Sequence, residues 1–295
     1  MSGQATQSVI ARRPMPTRAL VLGATGMVGR SWTGLLTAHG IPFDAASRPE
    51  IDLQRHDSLA HAIRPEHDLV VNAAAWTDVD SAETEEPRAI NANGEAVRAI
   101  ASRCKELQAT LIHYSTDYVF AGDGKNPYPI ESPIAPVNAY GRSKARGEAA
   151  LHESGSDHIL IRTSWVYAPW GKNFVRTIAT LAANRDSLRV VNDQRGRPTS
   201  AEHLASTSLA MYLAGAQGTW HATDGGECTW HELATEIVRL LNFPCDVQPC
   251  TSDEYPRLAT RPAYSVLDLT KTDVLVGPRT DWQDAVHRVI ERLER

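Results

Sequence analysis

The first half of the chain alternates short apolar runs with stretches of helical periodicity. Ala19–Leu22 is apolar and leads into a glycine turn, after which Val28, Trp32, Leu35 and Leu36 recur at helical spacing. The same alternation returns in DLVVNAAA, PRAINANGEAVRAIASRCKEL, ATLIHYST and HILIRTSWVY, which predict a strand, a helix and two more strands. Strands separated by helices predict an α/β fold with a Rossmann-like, doubly wound parallel sheet.

The alternation is lost beyond about residue 168. Turn-rich segments such as NDQRGRPTS and DGGECTW follow, with helices predicted in TWHELATEIVRLL and near the C-terminus. We therefore expect a flexible tail over 1–17 and a dinucleotide-binding domain over 18–167. Residues 168–295 are expected to form mainly a smaller, irregular α/β substrate lobe, with some segments returning to the Rossmann domain.

Composition narrows the choice of partners. The 295 residues carry a net charge of −5, which argues against a non-specific grip on nucleic acid or an anionic membrane. The chain has no run of about 18 apolar residues and no signal-peptide pattern at its start. The four cysteines, at 104, 228, 245 and 250, form no C-x-x-C pair, so we expect reduced thiols, no metal site and a cytoplasmic location.

A glycine turn follows the first predicted strand. Gly23, Gly26 and Gly29 are spaced G-x-x-G-x-x-G, and Met27 and Val28 open the helix between them. Glycine allows a tight turn and lets a pyrophosphate approach the helix amino terminus, where free N–H groups attract anions. Glycines also serve tight packing, but their place between a strand and an amphipathic helix predicts dinucleotide binding.

The end of the second strand bears on the choice of cofactor. Ser47 and Arg48 stand where the adenosine ribose is expected, and a basic residue there favours NADPH. If Asp44 instead held the ribose hydroxyls, NADH would be favoured, so NADH stays possible. Four more cofactor contacts are expected: Asp52 and Leu53 beside the adenine, and Ala74 and Ala75 at the far end.

Tyr140 and Lys144 lie four residues apart and would share one face of a helix. An ammonium near a phenol favours the phenolate, which would lower the tyrosine pKa toward the range useful for acid–base work. Ser115 or Thr116, at the preceding strand end, could hold a substrate carbonyl beside Tyr140. A tyrosine and lysine at this spacing also occur by chance, but the glycine turn and the Ser-Thr strand end favour a reductase.

These motifs resemble a known family. GATGMVG, NAAA, the strand-end ST and Y-x-x-x-K are similar to those of the extended short-chain dehydrogenase/reductases. NAAAWTDVDSAE, IHYSTDYVF, NAYGRSKARGE, RTSWVYAPWGKNF and NDQRGRPT look like the dTDP-4-dehydrorhamnose reductase family, from about Arg18 to the end. The resemblance implies reduction of the C4 ketone of dTDP-4-dehydro-6-deoxy-L-mannose to dTDP-L-rhamnose with NAD(P)H.

The resemblance also implies roles for single residues. Thr116 would be the carbonyl-binding hydroxyl, Tyr140 the proton donor and Lys144 its partner. The implied substrate contacts are Asp117 and Tyr118 in the sugar pocket, Trp165 on the sugar ring and Arg261 on the diphosphate. An indole face suits the apolar face of a deoxysugar, although Trp165 could also be a core residue at a strand end.

Differences between this sequence and related families decide which alternative functions stay open. Tyr118 replaces the glutamate that sugar-nucleotide dehydratases use, so dehydration lacks its base. Ser31 stands where some members carry a glutamate linked to a metal-bridged dimer, so we predict no metal and either a monomer or a homodimer. The open alternatives are a reductase of another 4-keto-6-deoxysugar, one giving the C4 epimer, and a non-catalytic NADP-binding regulatory subunit. Arg195 and Arg197 could contact the diphosphate or decorate a rim.

Some residues are expected to be structural. His113 and His221 are interpreted as satisfied core or rim groups, and Trp230 as a core residue on a helix. The acidic run of Glu83, Glu85 and Glu86 is interpreted as a solvated helix start.

Overall fold

A six-stranded parallel sheet forms the centre of the protein. The structure is a computed structural model that describes residues 12–293. The strands of this part of the chain are β1 (Ala19–Leu22), β2 (Phe43–Ala46), β3 (Leu69–Asn72), β4 (Thr110–Thr116), β5 (His158–Thr163), β6 (Val166–Tyr167), β7 (Ser187–Val191), β8 (Arg195–Gly196), β9 (Thr199–Ser200), β10 (Gly218–His221), β11 (Cys228–Thr229) and β12 (Asp246–Cys250).

Helices connect these strands. In the same residues they are α1 (Met27–Ala38), α2 (His56–Ala62), α3 (Val79–Thr84), α4 (Glu86–Ile90), α5 (Ala96–Leu107), α6 (Ala139–Ser154), α7 (Phe174–Ala182), α8 (Ala201–Leu213), α9 (Trp230–Leu241), α10 (Thr270–Val276) and α11 (Trp282–Ile290). A π-helical turn, Asn91–Glu95, joins α4 to α5, and a 3₁₀ turn, Asp117–Val119, follows β4.

The strand order confirms the predicted doubly wound fold. The strands lie in the order β10-β5-β4-β3-β1-β2, and every neighbouring pair is parallel. The chain moves outward from β1 to β2 and then returns to place β3 on the other side of β1. Ligands of such sheets bind in the crevice at the carboxyl ends of the strands beside this change of direction.

Helices cover both faces of the sheet, so its central strands β1, β3 and β4 are buried along their whole length. Every residue of β1 and of β3 is buried. On one face, Trp32 of α1 packs with residues of α8, and its indole N–H donates to the hydroxyl of Tyr114 at 2.6 Å. On the other face, Leu59 of α2 and Ile100 of α5 form a second core. This burial explains why the sequence pattern there is a continuous apolar run rather than an alternation.

Two predicted elements are interrupted in the structure. The helix expected from PRAINANGEAVRAIASRCKEL is divided by the π-helical turn into α4 and α5. The strand expected from HILIRTSWVY ends at Thr163, and Trp165 adopts a left-handed φ of 46° before β6 begins. Such a φ is rare for a bulky residue, so the structure around Trp165 has to hold it.

The C-terminal part builds a separate core from α7, α9 and α11 with β7 and β12. A capping box between Thr229 and Glu232 starts α9. Two segments of this part lie with the central sheet, because β10 pairs with β5 and α8 packs on α1. The division of the chain at 167/168 into two domains stays a prediction.

The tail predicted over 1–17 falls partly outside the described residues, which begin at Arg12. Within it, Arg13 donates to Asp157 at 2.8 Å and to the carbonyl of Ala216 at 2.8 Å, and the hydroxyl of Thr17 donates to Asp68 at 2.9 Å. These bonds attach Arg13 and Thr17 to the sheet domain, and the flexible tail stays a prediction for the residues before them. Across residues 12–293, no helix combines the length and apolar character that a membrane span requires.

Candidate active site

The glycine turn brings β1, α1 and β3 into close contact. Gly23 has a φ of 79°, and a Cβ at this position would lie 2.7 Å from the backbone nitrogen of Ala74. A Cβ on Gly29 would lie 2.1 Å from the carbonyl oxygen of Gly23. Only glycine fits these two positions, which let the turn after β1 lie against Ala74 on one side and against the first turn of α1 on the other.

The amino terminus of α1 is free of side-chain caps. Gly26 precedes the helix and provides no capping side chain, and its first turn contains no acidic residue. The N–H groups of this turn, at Met27, Val28 and Gly29, are those that a helix leaves without internal partners. This arrangement fits a pyrophosphate, since unpaired N–H groups and the helix dipole attract anions.

Ser47 lies beside this turn and Arg48 follows it in the chain, and their contact with the adenosine ribose stays a prediction. The backbone N–H of Thr25 donates to the Ser47 hydroxyl at 3.1 Å, and the Arg48 side chain is exposed. Asp52 and Leu53 follow, with Leu53 packed against the core below.

Asp44, the alternative ribose acid, is engaged elsewhere. Its carboxylate accepts from Arg18 at 2.8 Å and contacts His67 at 2.8 Å, and it also pairs with Arg64. The hydrogen bond from Arg18, which precedes β1, holds the pKa of Asp44 well below its usual range. Asp44, Glu66 and His67 are close enough to share a cation, but Arg18 and Arg64 already neutralise these carboxylates. The carboxylate is thus bound toward the amino end of the sheet, away from the crevice.

The predicted catalytic hydroxyls meet at the end of β4. Thr116 donates to the Oδ1 atom of Asp117 at 2.9 Å and accepts from the backbone N–H of Tyr118 at 3.2 Å. Burial raises the pKa of Tyr140 to about 12, while a hydrogen bond with Thr116 acts in the opposite direction. The structure therefore brings Thr116 and Tyr140 together.

Lys144 does not lower the Tyr140 pKa here, and that expectation was wrong. The Lys144 ammonium donates to the carbonyl of Tyr114 at 2.6 Å and lies 3.5 Å from the Nε2 atom of His113. Burial of Lys144 lowers its own pKa to about 8, against an opposing effect of Glu148. The lysine is directed at strand β4 rather than at the phenol one helical turn away.

Asp117 is a buried acid at the centre of the site. Burial raises its pKa to about 6, although the hydroxyls of Ser265 and Thr116 favour the charged form. Its Oδ2 atom is buried and has no hydrogen-bond partner among the described residues. A buried polar atom of this kind is suited to a ligand hydroxyl or a water molecule.

Tyr118 and Arg261 lie on the side of the site formed by α3. The Tyr118 ring packs edge-on against Tyr140, with ring centroids 5.9 Å apart. Arg261 donates to Asp80 at 3.0 Å and to the carbonyl of Ala259 at 3.2 Å. Burial raises the pKa of Tyr118, while the positive charge of Arg261 lowers it, which places the guanidinium near this ring.

Trp165 lies at the wall between the sheet and the C-terminal core. Its indole stacks on that of Trp230, and a Cβ on Gly196 would come within 2.6 Å of its ring. Trp230 also packs against Phe174, with ring centroids 4.5 Å apart. The interpretation of Trp230 as only a core residue missed that it supports Trp165.

Asn93 is a positioning residue that the sequence did not reveal. Its side chain accepts from the N–H of Trp76 at 2.9 Å and donates to the carbonyl of Trp76 at 3.0 Å and to the Ser143 hydroxyl at 2.9 Å. An asparagine within a predicted helix was the only available signal, since its amide competes with regular helical bonding.

The acidic run was also misread. Glu83 accepts from the backbone N–H of Ala139 at 2.8 Å, and Glu86 pairs with Arg142 at 2.6 Å. These contacts hold the first turn of α6, which carries Tyr140. The run is therefore part of the support of the site and not only a solvated helix start.

Comparison with known proteins places the chain in a family. Residues 17–295 match the family described as the RmlD substrate binding domain. The chain belongs to the RmlD family. A dTDP-4-dehydrorhamnose reductase of Streptomyces griseus is 40% identical over 284 residues, covering 92% of each chain.

Two further relatives of this RmlD-family chain bear on its site. A dTDP-4-keto-6-deoxy-D-glucose reductase of Streptomyces niveus is 39% identical and covers 86% of this chain and 89% of its own. The crystal structure of a dTDP-4-dehydrorhamnose reductase of Bacillus anthracis, solved in complex with NADP, superposes with a TM-score of 0.90. It is 30% identical and covers 94% of this chain and 99% of its own.

Proposed function

We propose that this chain reduces the C4 ketone of dTDP-4-dehydro-6-deoxy-L-mannose to dTDP-L-rhamnose with NADPH. The observation that carries the proposal is the meeting of the Thr116 hydroxyl and the Tyr140 phenol at the carboxyl edge of the sheet. They stand beside a glycine turn that fits a dinucleotide. Family membership and the NADP-bound Bacillus anthracis relative support the same reaction.

NADPH would supply a hydride to C4. The side chains of the site would hold the cofactor, orient the ketone and supply the proton. The glycine turn, with Ser47 and Arg48, would hold the cofactor. Thr116 would orient the ketone oxygen by a hydrogen bond, and Tyr140 would give its proton to that oxygen as the C–H bond forms. One hydride and one proton convert the carbonyl into a secondary alcohol, which leaves Tyr140 to regain a proton.

The sugar nucleotide would lie against four side chains. Trp165 would offer an indole to the apolar face of the deoxysugar. Asp117, with its unpartnered Oδ2 atom, and Tyr118 would face sugar hydroxyls. Arg261 would reach the diphosphate after exchanging part of its contact with Asp80.

The identity of the sugar is the finer part of the proposal. Relatives of nearly equal identity carry different names, a dTDP-4-dehydrorhamnose reductase at 40% and a dTDP-4-keto-6-deoxy-D-glucose reductase at 39%. Reduction of another 4-keto-6-deoxysugar, or formation of the C4 epimer, is therefore the second candidate. Facial selectivity depends on how the sugar lies over the nicotinamide.

The test is NADPH oxidation with the 4-dehydro sugar nucleotide generated enzymatically, with the product identified by NMR. dTDP-L-rhamnose as product supports the proposal, and the C4 epimer supports the second candidate. Tyr140→Phe should abolish turnover and keep NADPH affinity, whereas Tyr212→Phe, on α8, should leave both unchanged. NADPH binding without turnover on any 4-keto-6-deoxysugar would instead support a regulatory subunit.

A further inference from the structure

His113 is a buried histidine that the proposed reaction leaves without a role. It is 1% exposed, and its register partner on the neighbouring strand is Asn72, which is also 1% exposed. The Nδ1 atom of His113 lies 3.0 Å from the amide nitrogen of Asn72, and its Nε2 atom lies 3.5 Å from the Nζ atom of Lys144. The ring therefore joins β3 to the lysine of the site.

The backbone decides which way the Asn72 amide points. The N–H of Ala74 donates to the Oδ1 atom of Asn72 at 3.2 Å. A flipped amide would set its NH₂ group against this N–H, so the NH₂ group has to face His113. A nitrogen that faces an NH₂ group has to accept, so Nδ1 carries no proton and the neutral ring is protonated on Nε2. Burial and the charge of Lys144 both lower the pKa of His113 well below its usual range.

We propose that Asn72 locks His113 in the Nε2–H tautomer and that the pair acts as a positioning device for Lys144. The Nε2–H group faces the Nζ atom of Lys144. When Lys144 is an ammonium, both groups are donors and no hydrogen bond can form between them. The same N–H can donate to Lys144 once the lysine has lost a proton. Lys144 thereby becomes a better source of the proton that returns to the Tyr140 phenolate, which it would reach through a bridging water molecule because its ammonium lies toward β4. This role rests on the proposed function, whereas the tautomer does not.

Other charged groups also act on Lys144. Glu148, on the same helix, favours the ammonium, but its carboxylate pairs with Arg162 at 2.7 Å and accepts from Ser115 at 2.5 Å. His158, on β5, acts on His113. The carboxylates on the elements packed against α6 have partners other than Lys144: Asp80 has Arg261, Glu83 the Ala139 N–H, Glu86 Arg142, Glu95 Arg146, Glu106 Arg103 and Asp117 Thr116. The cations on these elements, Arg88, Arg98, Arg103 and Lys105, each have a carboxylate or carbonyl partner, and burial raises the pKa of Cys104, Tyr114 and Tyr118.

The tautomer is measured by NMR on protein labelled with ¹⁵N-histidine, without substrate. The His113 signals, identified by their loss in His113→Phe, should show a protonated Nε2 and no titration between about pH 5.5 and 8.5. His221 serves as an internal reference for the Nδ1–H tautomer, because its Nδ1 atom faces the carbonyl of Asp268 at 3.1 Å and has to donate to it. A protonated Nδ1 on His113, or a titrating ring, would overturn the lock.

The effect on Lys144 is measured by a double-mutant cycle. Asn72→Asp should force the proton onto Nδ1 and turn the Nε2 lone pair toward Lys144, which should raise the Lys144 pKa by about one unit. The chain has five lysines, so their ¹³Cε signals can be followed singly, with Lys271 as the reference. In Asn72→Asp/His113→Phe most of the rise should vanish if it passes through the ring. An equal rise in both backgrounds would assign it to the added charge and refute the positioning role.

A pH profile then connects the lock to turnover. In Asn72→Asp the apparent pKa of kcat that belongs to Lys144 should move in the same direction as the NMR value, with KM for the sugar nucleotide little changed. A shifted Lys144 with an unchanged kcat profile would refute the role in proton return while leaving the tautomer intact. Absence of turnover in the wild-type chain would count against the proposed function alone.

Discussion

The indole of Trp165 lies on the indole of Trp230, with ring centroids 3.5 Å apart and planes inclined by 11°. One face of Trp165 is thus covered from behind by the first residue of α9. The stack supports the left-handed φ of 46° that Trp165 adopts at the break between β5 and β6. Because α9 belongs to the C-terminal core, the position of Trp165 depends on the packing of that core.

Replacing Trp230 should therefore weaken sugar binding without touching the catalytic groups. An aromatic pair contributes about 0.5–1.5 kcal/mol beyond area burial, so Trp230→Ala should raise KM for the sugar nucleotide roughly 2- to 10-fold. Steady-state kinetics with saturating NADPH measure this change. Trp230→Phe is the control, and it should keep most of the affinity because it can still stack. A fall in kcat with unchanged KM would contradict this account.

Arg48 should determine the preference for NADPH over NADH. A hydrogen bond to a charged group contributes about 1.5–3 kcal/mol, so Arg48→Ala should raise KM for NADPH about 10- to 100-fold. KM for NADH should change little, because NADH lacks the 2′-phosphate. Arg55→Ala, which removes a cation that is 71% exposed, is the matched control. Equal losses with both cofactors would show that Arg48 does not contact the 2′-phosphate.

Ionisation of the buried Asp117 carboxyl should lower the free energy of unfolding as the pH rises. Its pKa is raised from 3.8 to about 6, so between these values the folded state holds a proton that the unfolded chain releases. Stability is then lost as the pH rises through about 6, and Asp117→Asn should be the more stable protein by about 1–3 kcal/mol at pH 8.

Urea unfolding at several pH values measures this difference, which should shrink toward pH 4 to 5. Asp268→Asn is the control of opposite sign, because hydrogen bonds from Thr270 lower the pKa of Asp268. That carboxylate stabilises the fold above its ordinary pKa, so its replacement should destabilise the protein at neutral pH. A gain for Asp117→Asn that does not vary with pH would refute the assignment to ionisation.

Removing one charge of the buried Glu148–Arg162 pair should strongly lower the free energy of unfolding. Both side chains are about 5–6% exposed, and Glu148 also accepts from Ser115. Glu148→Gln leaves the guanidinium without its counter-charge and should lower the free energy of unfolding by about 3–5 kcal/mol. Glu86→Gln, which breaks an exposed pair with Arg142, should lower it by about 1 kcal/mol or less. Similar losses for the two variants would show that burial does not decide the effect.

The sequence allowed the sheet to be predicted because β1, β3 and the start of β4 each contain a short apolar run that is followed by a recognisable turn or strand end. The glycine turn and the Thr116–Tyr140 pair could be located for the same reason, since the carboxyl ends of neighbouring parallel strands meet at one edge. The break at Trp165 could not be predicted, because its left-handed φ depends on Trp230, 65 positions along the chain.

The orientation of the Lys144 side chain could not be predicted from the sequence either. Helical spacing placed Tyr140 and Lys144 on one face, but the ammonium of Lys144 donates to the carbonyl of Tyr114 and so lies toward β4. The protonation of His113 depends in turn on Ala74, which fixes the amide of Asn72 from the backbone. Single-sequence patterns carry no signal for such chains of hydrogen bonds.

The π-helical turn at Asn91–Glu95 sets the angular phase of everything that follows it in its helix. An α-helix advances about 100° per residue, so removing one residue to restore regular winding would rotate α5 by that angle about its axis. Ile100 and Cys104 would then leave the core, or Asn93 would leave Trp76 and Ser143. Insertions and deletions in this segment therefore cannot be neutral, although loop-like length variation is tolerated elsewhere on the surface. The length of Asn91–Glu95 is therefore fixed both by the core packing of α5 and by the hydrogen bonds of Asn93.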